Sequence, residues 1–135
     1  MHEDPSADPT AERTVDLESF EAKAAQTTRF RLIDAGSPDL NKNQVKFLRG
    51  LGQSLQPLVM IGARGPVLSI VPALEEQLQA HELVKIKVHD TANLSIEAVA
   101  LWLRAETGAQ IVHILGHTVL FYKARTKKRM IQLPK

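Results

Sequence analysis

"LVMIGARGPVLSIVPALEEQLQAHELVKIKVH", residues 58–89, decides the fold. Its opening "LVMI" (58–61) is a short apolar run between Pro57 and Gly62, and it reads as a buried strand. Leu68, Val71, Leu74 and Leu78 then recur at helical spacing. Pro72 lies inside that stripe, so either the first turn is kinked or the regular helix starts there. "LVKIKVH" (83–89) alternates strictly, with Val84, Ile86 and Val88 on one face and Lys85, Lys87 and His89 on the other. That pattern predicts a half-buried strand with a basic exposed face. Strand, helix and strand at this spacing form a parallel crossover.

Upstream, Asn41 followed by Gln44 resembles a capping box at a helix start. Val45, Leu48, Leu51 and Leu55 continue at helical spacing, which leaves Lys42, Lys46 and Arg49 on or beside the solvent face. Pro57 stops that helix. Downstream, Ile96, Val99, Ala100 and Leu103 form a third helical stripe, ended by Gly108 in "ETGA". "QIVHILGHTVLFYK" (110–123) reads as two strands about a tight turn at Gly116, a hairpin. The order helix–strand–helix–strand–helix–strand–strand predicts an α/β fold, a small two-layer-type domain with a mixed sheet.

The 135 residues fit one compact domain plus an appendage. With no cysteine, disulfide frameworks, thiolate zinc sites and cysteine nucleophiles are excluded. No apolar run approaches the roughly 20 residues that span a bilayer. The start, "MHEDPSADPT", is acidic and proline-bearing, unlike a signal peptide, so a soluble cytoplasmic protein is expected.

Charge divides the chain. Residues 1–40 carry four basic and nine acidic side chains, net −5; residues 41–135 carry thirteen basic and six acidic, net +7. Three segments are expected: an acidic, largely disordered extension over 1–39, a folded domain over 40–124, and a basic tail over 125–135. Within the extension, Asp16–Thr27 suits a short helix, and "DAGSPD" (34–39) suits a linker. A basic domain behind an acidic extension points to a polyanionic partner, since lysine and arginine gain by displacing counterions from phosphates. An ordinary soluble domain that happens to be basic is the alternative.

Gly62-Ala63-Arg64-Gly65 is a GxxG loop between a strand and a helix. It lacks the third glycine of a dinucleotide fingerprint and the Gly-Lys-Ser/Thr of a Walker loop. Such a loop can bring backbone amides against phosphates, with a helix N-terminus behind it and Arg64 at its tip. By itself such a stretch is more often a plain turn. Lys46, Arg49, Arg64, Lys85, Lys87 and the tail, including Lys127 and Lys128, could share one basic surface. His113 and His117 are separated by a turn, with no third ligand in view, so no metal site is expected. His81 is read as closing the second helix. Trp102, Phe121 and Tyr122 are read as core rather than as base-stacking platforms. No nucleophile–base–acid set emerges, so no catalytic residue and no cofactor is expected.

"NQVKFLRGL", "PLVMIGARG", "HELVKIKV" and "ETGAQIVHILGHTVLFYK", in this order, resemble the bacterial YhbY-like proteins. These are single CRM domains, named for chloroplast RNA splicing and ribosome maturation. The resemblance covers about residues 40–124. It implies a four-stranded mixed sheet with three helices, related to the C-terminal domain of translation initiation factor three. It further implies RNA binding, in association with precursor large ribosomal subunits. The family's loop falls on Gly62, Ala63, Arg64 and Gly65, its basic helix positions on Lys46 and Arg49, and its strand lysines on Lys85 and Lys87. Family members often carry lysine directly after the first glycine, where this chain has Ala63. The family's histidine and lysine near the end of the first helix are replaced around Gln53, Ser54 and Gln56. The function expected is therefore a monomeric, non-enzymatic RNA-binding protein of the ribosomal large-subunit precursor. An adaptor that engages a ribosomal protein is the alternative.

Overall fold

The computed structural model describes residues 14–17, 40–63, 65–90 and 94–135. Its elements are α1 (Lys42–Gly52), β1 (Val59–Ile61), α2 (Ile70–His81), β2 (Leu83–Val88), α3 (Ile96–Thr107), β3 (Gln110–Leu115) and β4 (Thr118–Tyr122). The expected element order is the observed one. The four strands form one mixed sheet in the order β1-β2-β4-β3, with β1 parallel to β2 and the other pairs antiparallel.

Local chemistry sets the helix ends. The Gln44 N–H donates to Asn41 Oδ1 at 2.8 Å while the Asn41 N–H donates to Gln44 Oε1 at 3.0 Å, a complete capping box. In α2, Pro72 falls in the first turn, where a missing N–H costs no intrahelical bond. The Ser95 hydroxyl accepts the Ala98 N–H to start α3, and Gly108 ends it in the left-handed region at φ 75°.

The sheet separates two cores. On one face, Val84, Ile86, Val88 and Phe121 pack with Leu74 and Leu78 of α2 and with Val99, Trp102 and Leu103 of α3. On the other, Leu83, Leu120, Tyr122 and Val112 pack beneath Leu48 of α1. Gly52 makes that second contact close, because a Cβ there would run into the Leu120 side chain. β2 therefore departs from the expected wholly exposed second face: Leu83 is buried and Lys85 half-buried, while Lys87 is exposed. α1 meets the sheet through Leu48 and Gly52, one turn apart, which leaves Leu51 exposed although its spacing placed it in the apolar stripe.

The hairpin turns at Gly116 (φ 57°), as expected. It carries one irregularity: Ile111 pairs with Phe121 and His113 with Leu120, so Val112 is an extra residue. The bulge puts the consecutive side chains of Val112 and His113 on the α1 face, beside Leu120.

Packing also extends beyond residues 40–124 at both ends. Leu17 is buried in the main core, the Val15 N–H donates to the Pro66 carbonyl at 2.8 Å, and Thr14 bridges Val67. The rest of the extension, including most of Asp16–Thr27 and the 34–39 linker, lies outside the described residues. At the other end, Ile131 and Leu133 pack against the second core, and Gln44 Nε2 donates to the Pro134 carbonyl at 3.0 Å. Glu82 holds this returning segment. Its fully buried carboxylate accepts N–H groups from Arg125 (2.8 Å), Met130 (2.6 Å) and Ile131 (2.7 Å). Burial pushes the Glu82 pKa up, but the three backbone donors and the Arg125 charge outweigh it, and the net shift is downward. The basic tail is thus a folded part of the domain.

Candidate nucleic-acid interface

α1 covers only part of the second sheet face, and the uncovered part lies toward the C-terminal end of β2. The register defines it. Met60 pairs with Lys87, Lys87 with Thr118, and Thr118 with Leu115, so these four residues form a transverse row across all four strands on one face. The next row inward, nearer α1, contains Lys85, Leu120 and His113.

Arg49 lies in the last turn of α1, the helix that covers the rest of this sheet face. Burial first, and then the charges of Arg49 and Lys85, lower the pKa of His113. His113 Nδ1 is buried without a hydrogen-bond partner among the described residues. From the sequence, His113 stands out only as a metal candidate; its place within the field of two cations depends on the bulge, which the alternation of the strand does not reveal.

The Gly62–Gly65 loop leaves the end of β1, at the edge of the same open area. The Gly65 N–H donates to the Gly62 carbonyl at 3.0 Å, closing a tight turn, and Gly62 and Ala63 are exposed. The glycines differ. Gly65 adopts φ 92°, whereas Gly62 has no left-handed requirement, and a Cβ added to it would meet no atom within 4 Å. Arg64 lies outside the described residues. One expectation changes here. α2 begins only at Ile70, so four residues separate Gly65 from the helix, and no helix N-terminus stands directly behind the loop. Those intervening residues instead receive Thr14 and Val15.

The remaining predicted cations are placed elsewhere. Lys46 lines a shallow groove of about 530 Å³ on α1 with Asn43, Phe47, Gly50, Leu51 and Pro134. Lys127 and Lys128 are exposed in the segment clamped by Glu82, at the N-terminal end of β2. Because β1 and β2 are parallel, the glycine loop leaves from the opposite end, some 20 Å away at about 3.3 Å per residue along β2. Lys87, paired with Met60 two residues before Gly62, therefore lies on the loop side of the sheet face with Lys85 one row further in, and Lys127 and Lys128 form a separate basic pole. Glu82 is the residue sequence reasoning missed. Its only local signal was an acidic side chain wedged between a helix and a strand.

Trp102, Phe121 and Tyr122 are all buried, as expected. Among the described residues no helix is long and apolar enough to cross a membrane.

The sequence profile of the CRS1 / YhbY (CRM) domain matches residues 40–123. A Haemophilus influenzae protein named "RNA-binding protein" is 35% identical over 100 residues, covering 71% of this chain and 96% of the relative. The Bacillus subtilis "Probable RNA-binding protein YqeI" is 30% identical over 95 residues, covering 70% of this chain and 99% of the relative. The solution structure of SAV1595 from Staphylococcus aureus superposes with a TM-score of 0.59 at 25% identity, covering 70% of this chain and 99% of that one. Profile, relatives and architecture agree, and the chain belongs to the CRS1 / YhbY (CRM) domain family.

Proposed function

We propose that this protein is a monomeric, cytoplasmic, non-enzymatic RNA-binding protein that associates with precursor large ribosomal subunits and assists their assembly. Its contacts to ribosomal RNA are made by the Gly62-Ala63-Arg64-Gly65 loop and by Lys46, Arg49, Lys85 and Lys87, with Lys127 and Lys128 as the second pole. The observation that supports this reading is Lys87 exposed on, and Lys85 one row behind on, a sheet face whose first strand leads directly into the glycine loop. Cations grouped this way gain by neutralising phosphates, and the exposed loop backbone permits close approach.

Cofractionation tests it. The protein is expected with precursor large subunits, retained through RNA and released at high salt. On an isolated ribosomal RNA fragment, Arg64→Ala should weaken binding by about 1–2 kcal/mol. The plot of log affinity against log salt should flatten by roughly 0.7, one phosphate contact on a single strand. Unchanged binding across the salt series would remove the loop from the interface.

A second reading has its own observation. Phe47 and Leu51 are exposed beside Pro134 in the α1 groove, which suits an adaptor's contact with a ribosomal protein. Salt-insensitive binding to such a protein, without RNA, would favour it.

A further inference from the structure

We infer that the transverse row Met60–Lys87–Thr118–Leu115 is a base-contacting platform, and that the RNA it takes is an unpaired strand or loop. This rests on the RNA-binding reading and narrows it to a class of RNA. Met60 and Leu115 are 55% and 68% exposed, at opposite ends of the row. Single exposed apolar side chains are ordinary. Here the register fixes two of them on one face of the sheet, flanking a lysine, next to a loop suited to phosphate.

The occupant follows from the mixture. A purely apolar protein partner would have to bury Lys87, with Lys85 and Arg49 behind it, at a large desolvation cost. A nucleotide is apolar on the base face and anionic at the phosphate, which matches a row with a lysine and a hydroxyl between two apolar side chains. Methionine sulfur and leucine methyl groups pack on aromatic faces. Lys87 is free to reach phosphate, and the Thr118 hydroxyl, which donates to the Leu115 carbonyl at 2.8 Å, retains acceptor capacity toward a base edge or a 2′-hydroxyl. Asp90, the carboxylate near this end of β2, lies 3.7 Å from His117 Nε2. A duplex hides its base faces, so only unpaired nucleotides can use Met60 and Leu115. Three strand spacings of about 4.8 Å make the row roughly 14 Å wide, enough for adjacent bases to lie across it.

The test uses the full chain and three fluorescent probes of equal length: an unstructured RNA strand, its duplex, and an abasic strand that keeps the backbone. The unstructured strand should bind about tenfold tighter than the abasic one, the scale of one base stacked on a side chain. Met60→Gln and Leu115→Gln should each weaken binding of the unstructured strand about fivefold, as expected for half-buried apolar side chains. They should leave the salt slope and the abasic affinity unchanged. Lys87→Gln should weaken the unstructured and abasic strands alike and reduce the slope by about 0.7. Both apolar residues are exposed, so circular dichroism should show intact folds. Equal affinity for the unstructured and abasic strands, tighter binding of the duplex, or wild-type binding by the Met60 and Leu115 variants would overturn the platform while leaving RNA binding intact. Failure to bind any probe at low salt would overturn the RNA-binding reading and the platform with it.

Discussion

The carboxylate of Glu82 accepts the backbone N–H of Ile131 at 2.7 Å, across 49 residues of chain. Glu82 itself sits at φ 64°, a strained conformation for a side-chain-bearing residue, yet its carbonyl accepts the Lys123 N–H and its own N–H caps α2 at Leu78. One residue thus joins the end of α2, the start of β2 and the C-terminal segment.

Glu82→Gln should destabilise the protein by about 1–3 kcal/mol, because the amide keeps one acceptor oxygen and leaves a buried donor unmatched. Urea denaturation at neutral pH measures this. Since the folded-state pKa is lowered, the carboxylate's contribution is complete above its ordinary value of 4.5 and is lost as pH falls through the folded value. The wild type should lose stability in that acid window, and the glutamine variant should lose less.

His113 gives the same sign in a separate, higher window, from a different cause. Burial, with Arg49 and Lys85, depresses its pKa below the ordinary 6.5. The unfolded chain then binds the proton more readily, so stability should fall as pH drops through about 6.5 toward the folded value. His113→Leu removes the imidazole, whose Nδ1 has no hydrogen-bond partner among the described residues, and should flatten the dependence of the melting midpoint on pH below neutrality.

Leu17 belongs to the core although it precedes residue 40 by more than twenty positions. Leu17→Ala should cost about 2 kcal/mol, the low end for a buried leucine. Removing 1–13 should leave the melt unchanged, whereas removing 1–17 should lower it by at least as much as Leu17→Ala. Thermal melts of the three chains decide this.

The two loop glycines should separate stability from binding. Gly65→Ala forces a side chain into φ 92° and should cost roughly 1–2 kcal/mol of stability. Gly62→Ala meets open space and should change stability by less than about 0.5 kcal/mol. It should nevertheless weaken RNA binding with little change in salt slope, since the methyl group stands where backbone meets phosphate. Melts and RNA titrations of both variants check the pair.

What the sequence made legible was whatever short-range chemistry determines. The Asn41–Gln44 box, the Gly108 stop and the alternation of Val84, Ile86 and Val88 each need only neighbouring residues, and each holds in the structure. The second core was not legible, because Leu83 becomes buried only when α1 and residues 131–133 close over it. The same limit applies to the site. Lys85 and Lys87 could be placed on one face from their spacing, but the grouping of Arg49 with Lys85 and His113 requires the α1 contact and the bulge. The Glu82 clamp depends on donors 43 to 49 residues away, beyond any local pattern.

The extra residue at Val112 also bears on how the molecule meets its own copies. β3 is one border of the sheet and β1 the other. An unmodified border strand is a template on which a second chain can add a strand and seed aggregation. β1 has only three residues before Gly62 breaks it, too few to hold such an addition. β3 is longer, but the bulge interrupts the even spacing of its backbone groups and increases the local twist. Both borders therefore resist edge-to-edge assembly, and the open sheet face can carry exposed Met60 and Leu115 without offering a neighbouring strand a place to begin.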